Sequence, residues 1–89
     1  MICVQVLMLN WVISPGTSKK EVHLQENNAT IRNLIEELDK EYSGRIAEAL
    51  SKSILAILVN GQDVEFLGGP DTKLSDGDRV ALSPIVAGG

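Results

Sequence analysis

One amphipathic segment in the middle of the chain most constrains the fold. Apolar residues recur there at helical spacing and form a single stripe, while charged residues fill the opposite side. A helix with one apolar stripe must bury that stripe against a second layer of structure. Thr30 is placed to cap the start of this helix through its hydroxyl, and Gly44 is placed to end it. The stripe consists of Ile31, Leu34, Ile35, Leu38 and Tyr42.

Strand-like segments precede this helix. Residues 2–9 alternate with a period of two, and both alternating sets are largely apolar, which predicts a central strand of a sheet. Residues 21–26 also alternate, with Val22 and Leu24 facing inward. The intervening residues 10–20 contain a Ser-Pro-Gly sequence and are predicted to be a turn or loop.

The region after the helix begins with a second, shorter helical segment. Residues 45–52 carry enough apolar residues for a short helix or a helical turn. Residues 55–59 form an aliphatic run typical of a buried strand. Asn60-Gly61 ends that run with a strong signal for a tight turn, and residues 63–66 can return as a short strand.

The last strand leads into a tail that loses side-chain bulk. Residues 67–75 are predicted to be a loop, and the strand that follows passes through Val80 and Leu82. Pro84 has no N–H to donate, so strand pairing should stop near it. The two final glycines carry no Cβ, which lets this end enter a space too narrow for other residues.

This order of elements favours an α+β fold of the β-grasp (ubiquitin-like) type, a mixed sheet with one main helix across it. A chain of 89 residues supports one small core. We therefore predict a single β-grasp domain at residues 1–83, followed by a flexible tail at residues 84–89 that ends in Gly-Gly. The sheet positions expected to receive the helix are Val4, Val6, Val22, Leu24, Val80 and Leu82.

Composition excludes several classes of function. The net charge is −4 and the basic residues are scattered, whereas binding to phosphates requires clustered Lys and Arg, so we expect no nucleic acid partner. The apolar run at residues 54–59 is too short to span a membrane, and residues 1–13 lack the basic region of a signal peptide. An acidic domain of this size is better suited to a protein partner with a basic surface.

The single cysteine and the single histidine give no linear metal or disulfide motif. Cys3 cannot form an internal disulfide, which predicts a cytoplasmic protein, and it is interpreted as a small strand residue. His23 falls in the charged, outward set of its strand, and no second His or Cys stands at ligand spacing. We therefore predict no metal site.

The end of the chain resembles a known family. Asn60-Gly61 after an aliphatic run, the Ser-Asp-Gly-Asp turn at residues 75–78, the following strand and the ending Pro-Ile-Val-Ala-Gly-Gly resemble the MoaD/ThiS group of ubiquitin-like sulfur carriers. The likeness is closest to the small subunit of molybdopterin synthase and spans the whole chain, with its specific part in about the last sixteen residues. The chain departs from the family pattern at Ile85, where a second proline is usual, and at Leu7 and Ser83, where aromatic residues are common.

The resemblance implies a chemical role for the tail. An ATP-dependent, ubiquitin-activating-like (MoeB-like) adenylyltransferase would adenylate the Gly89 carboxylate, and a persulfide donor would convert it to a thiocarboxylate. The sulfur would then pass to a precursor pterin in the large, MoaE-like subunit of molybdopterin synthase. The chain would thus be a non-catalytic carrier subunit rather than an enzyme by itself, and it would bind no cofactor of its own. The implied partner contacts are Pro84, Ile85, Val86, Ala87, Gly88, Leu7 and Leu9.

Other functions fit the same tail. A ubiquitin-like modifier would use Gly89 to form isopeptide bonds with lysines of other proteins. A carrier for thiazole (thiamine) synthesis or another sulfur product would use the same thiocarboxylate, although thiazole carriers are shorter. The sequence distinguishes neither molybdenum from tungsten cofactor synthesis nor one sulfur donor from another.

Overall fold

The protein is a mixed five-stranded sheet with two helices packed on one face, seen in a computed structural model that describes residues 1–10 and 16–85. The strands are β1 (Ile2–Asn10), β2 (Gly16–Leu24), β3 (Leu55–Val59), β4 (Gln62–Asp63) and β5 (Arg79–Pro84). Their order across the sheet is β2-β1-β5-β3-β4. The first and last strands, β1 and β5, are parallel neighbours, and the other pairs are antiparallel. The predicted β-grasp fold is confirmed, and β1 lies inside the sheet as expected.

The helices are α1 (Ile31–Tyr42) and α2 (Arg45–Ser51). The hydroxyl of Thr30 accepts a hydrogen bond from the Asn33 backbone N–H at 3.3 Å, which confirms the predicted cap. α1 ends where Ser43 and Gly44 both adopt left-handed backbone conformations, with φ of 55° and 80°. Left-handed residues stop the α-helical hydrogen bonding, so Gly44 contributes to the end of α1 as predicted.

The core lies between the helices and one face of the sheet. The predicted sheet positions are all buried, and so is the predicted helix stripe except Tyr42, which is partly buried against its edge. The aliphatic run of β3 alternates, so that Leu55, Ile57 and Val59 join the core and the residues between them do not. Every buried residue in the described ranges is apolar, and the charged side chains described there therefore lie at the surface.

An aspartate joins the two helices. The Asp39 carboxylate accepts hydrogen bonds from the backbone N–H groups of Ile46 (2.9 Å) and Ala47 (3.0 Å). These N–H groups belong to the first turn of α2, where backbone N–H groups have no acceptor within the helix. The sequence pattern places Asp39 among the charged residues opposite the apolar stripe of α1, and the structure shows that it also fixes the start of α2, where Ile46 is fully buried.

The prediction of a loop over residues 10–20 was wrong at both ends. β1 continues to Asn10, and β2 begins at Gly16, so the two strands pair from Asn10–Gly16 to Ile2–Leu24. Gly, Ser and Lys have low strand propensity, but this is a weak preference that pairing to an interior strand outweighs. Residues 11–15, between the two strands, lie outside the described residues.

The returning strand at residues 63–66 was also predicted too long. β4 stops at Asp63, whose carboxylate accepts a hydrogen bond from the Glu65 N–H at 2.9 Å. This side-chain contact bends the chain into a short 3₁₀-helix at Val64–Phe66, because an aspartate offers its neighbours an alternative to ladder bonding. Phe66, expected in a strand, is 87% exposed. The loop that follows contains another 3₁₀-helix at Gly69–Asp71, and a further one at Glu26–Asn28 precedes α1.

Within the described residues, no helix combines the length and the apolar character needed to cross a membrane.

Candidate functional site

The strand that carries the C-terminus is held on both sides. β5 pairs with β1 along one edge and with β3 along the other. Pairing ends at Pro84 as predicted, and one further backbone bond follows, from the Ile85 N–H to the Ile54 carbonyl at 3.0 Å. The chain therefore leaves the sheet at a fixed point, with the Ile85 side chain 45% exposed.

Most of the predicted tail lies beyond this point. Val86, Ala87, Gly88 and Gly89 are outside the described residues. The predicted flexibility of residues 84–89 and the roles of these residues stay predictions. Pro84 is still part of β5, so the sheet determines where the tail starts.

An apolar band crosses the sheet face that the helices leave open. Leu7 of β1 pairs with Ala81 of β5, and Ala81 pairs with Leu58 of β3. All three are half-buried, while their neighbours along each strand are buried beneath the helices. Because side chains alternate across a strand, these three residues point away from the core. We call Leu7, Ala81 and Leu58 the open-face band.

The open-face band forms the floor of a broad groove of about 900 Å³. Charged residues of both signs line the groove together with the band, namely Lys19, Lys20, Glu21 and Arg79. Exposed apolar surface rimmed by polar residues is typical of protein docking sites. The sequence predicted Leu7 for this surface but missed Leu58 and Ala81. The sequence pattern could have identified them, because Leu58 and Ala81 each stand between two apolar residues that are buried, and therefore face the opposite side of the sheet.

The band includes a residue of the strand that leads into the tail. β1 and β5 are parallel, and Leu7 precedes by one residue the last registered pair, Met8 with Leu82. The predicted contact at Leu9 stays a prediction, because its side chain lies outside the described part of the structure. A protein bound to the open-face band would cover β5 at Ala81, three residues before Pro84, where the strand ends.

Two turns at the opposite end of β5 set its position. The Asn60 side chain donates to an Asp78 carboxylate oxygen (3.1 Å) and accepts from the Arg79 N–H (3.0 Å). The second Asp78 oxygen accepts from the Ser75 N–H at 2.8 Å. The motif residues at Asn60 and Asp78 thus join the β3–β4 turn to the turn before β5, and their role is to hold that strand.

The same region also fixes the start of β1. The Asp76 carboxylate accepts from the Cys3 N–H at 2.8 Å, and the Gly77 N–H donates to the Cys3 carbonyl at 2.8 Å. Gly77 has a φ of 87°, a conformation that favours glycine. The Asp-Gly-Asp sequence is therefore a brace between β1 and β5.

The environment of Cys3 keeps its thiol protonated. Burial raises the pKa of the Cys3 thiol, and a hydrogen bond to Glu21 and the negative charges of Glu21 and Asp76 raise it further. Reactive thiols have a lowered pKa in positive surroundings, so this site is unlike that of a nucleophilic cysteine. The interpretation of Cys3 as a strand residue agrees with its place in β1.

The chain matches a known protein family over most of its length. The family model for the ThiS family matches residues 10–89, which is most of the chain and includes its end. The chain belongs to the ThiS family. It is therefore a ubiquitin-like protein of the sulfur carrier and modifier type, as the sequence motifs predicted.

The relatives divide between carriers and modifiers. The chain is 37% identical over 85 residues to the sulfur carrier protein CysO of Mycobacterium tuberculosis, covering 88% of this chain and 90% of that protein. It is 35% identical over 68 residues to small archaeal modifier protein 3 of Haloferax volcanii, covering 72% and 74% of the two chains. Among solved structures it resembles the putative molybdopterin converting factor, subunit 1 from Pyrococcus furiosus. That match has a TM-score of 0.73 and 26% identity, and covers 97% of this chain and all of the other.

Proposed function

We propose that this chain is a sulfur carrier for molybdopterin synthesis and works as the small subunit of a molybdopterin synthase. The observation that carries the proposal is the arrangement at the end of β5. A strand bonded on both sides leads into a tail ending in Gly-Gly, and the same strand carries Ala81 of the apolar groove on the open face. The likeness to a putative molybdopterin converting factor subunit supports the choice of pathway.

The proposed chemistry takes place at the Gly89 carboxylate. A carboxylate is a poor electrophile, so a MoeB-like partner would use ATP to form an acyl-adenylate at Gly89 and release pyrophosphate. The terminal sulfur of a donor persulfide would then displace AMP and give an acyl disulfide, which a second thiol reduces to the free thiocarboxylate. The thiocarboxylate sulfur is a good nucleophile and would attack the precursor pterin. In this scheme, ATP belongs to the activating partner, and the carrier needs no cofactor.

The tail and the open-face band would share the work of docking. Gly88 and Gly89 would enter the narrow sites of the activating enzyme and of the MoaE-like large subunit in turn, because neither glycine carries a side chain. Ile85 and Val86 would bury their side chains in the partner and set how deep the tail reaches. Leu7 would anchor the sheet face through the open-face band, because a few buried apolar residues provide most of the binding energy at such interfaces.

A second function is supported by a specific relative. The similarity to small archaeal modifier protein 3 favours a ubiquitin-like modifier, in which the activated Gly89 carboxyl is attached to a lysine amine of another protein. The two functions share the activation step. They differ in the nucleophile that attacks the adenylate, which is a sulfur in one case and an amine in the other.

Intact mass spectrometry of the protein isolated from its own cells tests the carrier function. The expected result is a species heavier by one sulfur-for-oxygen exchange, located at Gly89 by digestion. A variant that lacks Gly89 should fold normally, by circular dichroism, but carry no such exchange. Gly-Gly remnants on lysines of other proteins, without any thiocarboxylate, would instead establish the modifier.

Reconstitution tests the pathway separately. Thiocarboxylated protein is mixed with the large subunit of molybdopterin synthase and precursor pterin, and formation of molybdopterin is measured. Molybdopterin should form with the loaded protein and not with the unloaded protein. Failure of a fully loaded carrier to yield molybdopterin would contradict the pterin pathway while leaving the carrier chemistry in place.

A further inference from the structure

Three side chains with metal-binding atoms meet on the open face, at the end of the sheet away from the tail. Cys3 of β1 and His23 of β2 are directly paired across the two strands. Glu21 lies two residues before His23, and therefore on the same face of β2. The linear spacing of Cys3 and His23 concealed this arrangement, which only the register of the β1–β2 hairpin reveals.

The distances suit a single ion. The Glu21 Oε1 and His23 Nε2 atoms are 3.2 Å apart, and one ligand atom from each of the three residues lies within 4.8 Å of the others. Tetrahedral zinc with bonds of about 2.0–2.3 Å holds its ligand atoms about 3.3–3.8 Å apart. The 3.2 Å between Glu21 and His23 lies just below that range, and a side-chain shift of about 1 Å would bring Cys3 into range.

The structure allows this small shift. The side chains of His23 and Glu21 are 57% and 59% exposed, so they can rotate without displacing core residues. The backbone beneath them is fixed by the β1–β2 ladder and by the Asp76 carboxylate, which accepts from the Cys3 N–H. The ligands therefore sit on rigid strands, and their side chains have freedom to close around an ion.

The donor set indicates which ion would bind. Sulfur, imidazole nitrogen and carboxylate oxygen together match zinc and its close transition-metal analogues, whereas magnesium and calcium take oxygen ligands. We propose that Cys3, Glu21 and His23 form a binding site for a zinc-class divalent ion, with a fourth position open to solvent. The sulfur would bind as the thiolate and its proton would pass to water.

The metal-site proposal does not rest on the carrier proposal, although Glu21 also lines the groove on the open face. Cys3 lies five residues before Met8 along β1, or about 17 Å at the rise of an extended strand. Met8 pairs with Leu82, and β5 ends two residues later, so the tail leaves from the other end of the sheet. A failed metal titration would leave the sulfur carrier proposal unaffected, and the reverse also holds.

Titration of the reduced full chain with Co²⁺ tests the site, because the absorption spectrum of bound Co²⁺ depends on the identity and geometry of its ligands. We expect a near-ultraviolet charge-transfer band from a cobalt–thiolate bond, visible bands of tetrahedral cobalt, and loss of both on addition of Zn²⁺. Loss of an outer partner of a metal ligand already lowers affinity about 10–100-fold, so losing a ligand should cost at least about tenfold. Cys3→Ser should abolish the thiolate band, and His23→Gln should weaken binding by at least that factor.

Gln5→Ala is the matched control, since Gln5 pairs with Glu21 across the same two strands but supplies none of the three ligand atoms. Its affinity should equal that of the wild type. Absence of the thiolate band in the wild type, or wild-type affinity in either ligand variant, would overturn the proposal. His23 is exposed, so His23→Gln should keep the fold and decide the matter even if Cys3→Ser does not fold.

Discussion

Replacing Asp78 by alanine should destabilise the domain far more than its surface position suggests. Its carboxylate accepts two hydrogen bonds, from the Asn60 side chain at 3.1 Å and from the Ser75 N–H at 2.8 Å. Asn60 in turn accepts a hydrogen bond from the Arg79 N–H. Removing the Asp78 carboxylate should therefore also weaken the hydrogen bond that holds the first residue of β5. The variant removes the link between two turns that together hold the strand leading to the tail.

The size of the effect follows from the two bonds. A hydrogen bond to a charged group contributes about 1.5–3 kcal/mol, so two such bonds contribute at least about 3 kcal/mol when they are buried. Asp78 is only half-buried, so water can replace part of the lost bonding, and we expect about 2–3 kcal/mol for both bonds together. For a domain of this size, a loss of about 2 kcal/mol lowers the melting temperature by roughly 8–16 °C. Asp78→Asn, which keeps one acceptor oxygen, should lose about half as much free energy.

Asp71→Ala is the matched control. Asp71 pairs with Arg32 at 3.1 Å, but both side chains are exposed, and such pairs contribute about 0–1 kcal/mol. Both variants remove one negative charge, so general effects of net charge cancel in the comparison. Thermal unfolding followed by circular dichroism gives the two midpoints. Equal midpoints for Asp78→Ala and Asp71→Ala would refute the reasoning that the two turns are held together through Asp78.

Three further variants test other parts of the structure. Thr30→Ala removes the acceptor for the Asn33 N–H and should cost about 1 kcal/mol in urea unfolding; an unchanged midpoint would place the effective cap elsewhere. Asp39→Ala leaves two α2 N–H groups without their acceptor and should cost about 1–2 kcal/mol, so a wild-type midpoint would contradict its capping role. Leu7→Arg should weaken binding to the large synthase subunit at least about tenfold in calorimetry, because it places a charge in the apolar band. Leu67→Arg, at an exposed leucine outside the groove, should bind normally, and equal affinities would remove the band from the interface.

The sequence predicted those parts of the fold in which burial decides the structure. The α1 stripe and the inward residues of β1, β2 and β5 all have the period of their element, and the core contains them as expected. In each of these elements, turning the element over would expose apolar side chains to water. The period of the apolar residues therefore predicts the element wherever one of its faces is buried.

The strand boundaries were predicted wrongly where the apolar pattern does not determine whether a segment pairs with a neighbouring strand. Residues 16–20 have no apolar pattern, and their strand structure comes from their partners in β1. At Asp63 the carboxylate bond to the Glu65 N–H ends a strand that the sequence pattern would have continued. The open-face band and the cluster around His23 were also missed as groups, because they join residues far apart in sequence through strand register.

The candidate site was predicted by its motif rather than by periodicity. The Gly-Gly end and the Asp-Gly-Asp turn indicated the ThiS family, and the family match confirms that assignment. The motif residues Asp76, Gly77 and Asp78 prove to be braces for β1 and β5, as their hydrogen bonds show. Sequence likeness thus identified the family, and the structure explains why those residues accompany the tail.

The position of β5 between two partners has a mechanical consequence. A force that pulls on the C-terminal end acts along β5 and loads its hydrogen bonds to β1 and β3 simultaneously. A strand pulled sideways from the edge of a sheet would instead lose its hydrogen bonds one after another. Because β1 runs parallel to β5, pulling the two chain ends apart also shears that pair lengthwise. A partner that draws the last residues into a deep pocket therefore pulls against the most resistant direction of the sheet, and the domain can bear that force while it stays folded.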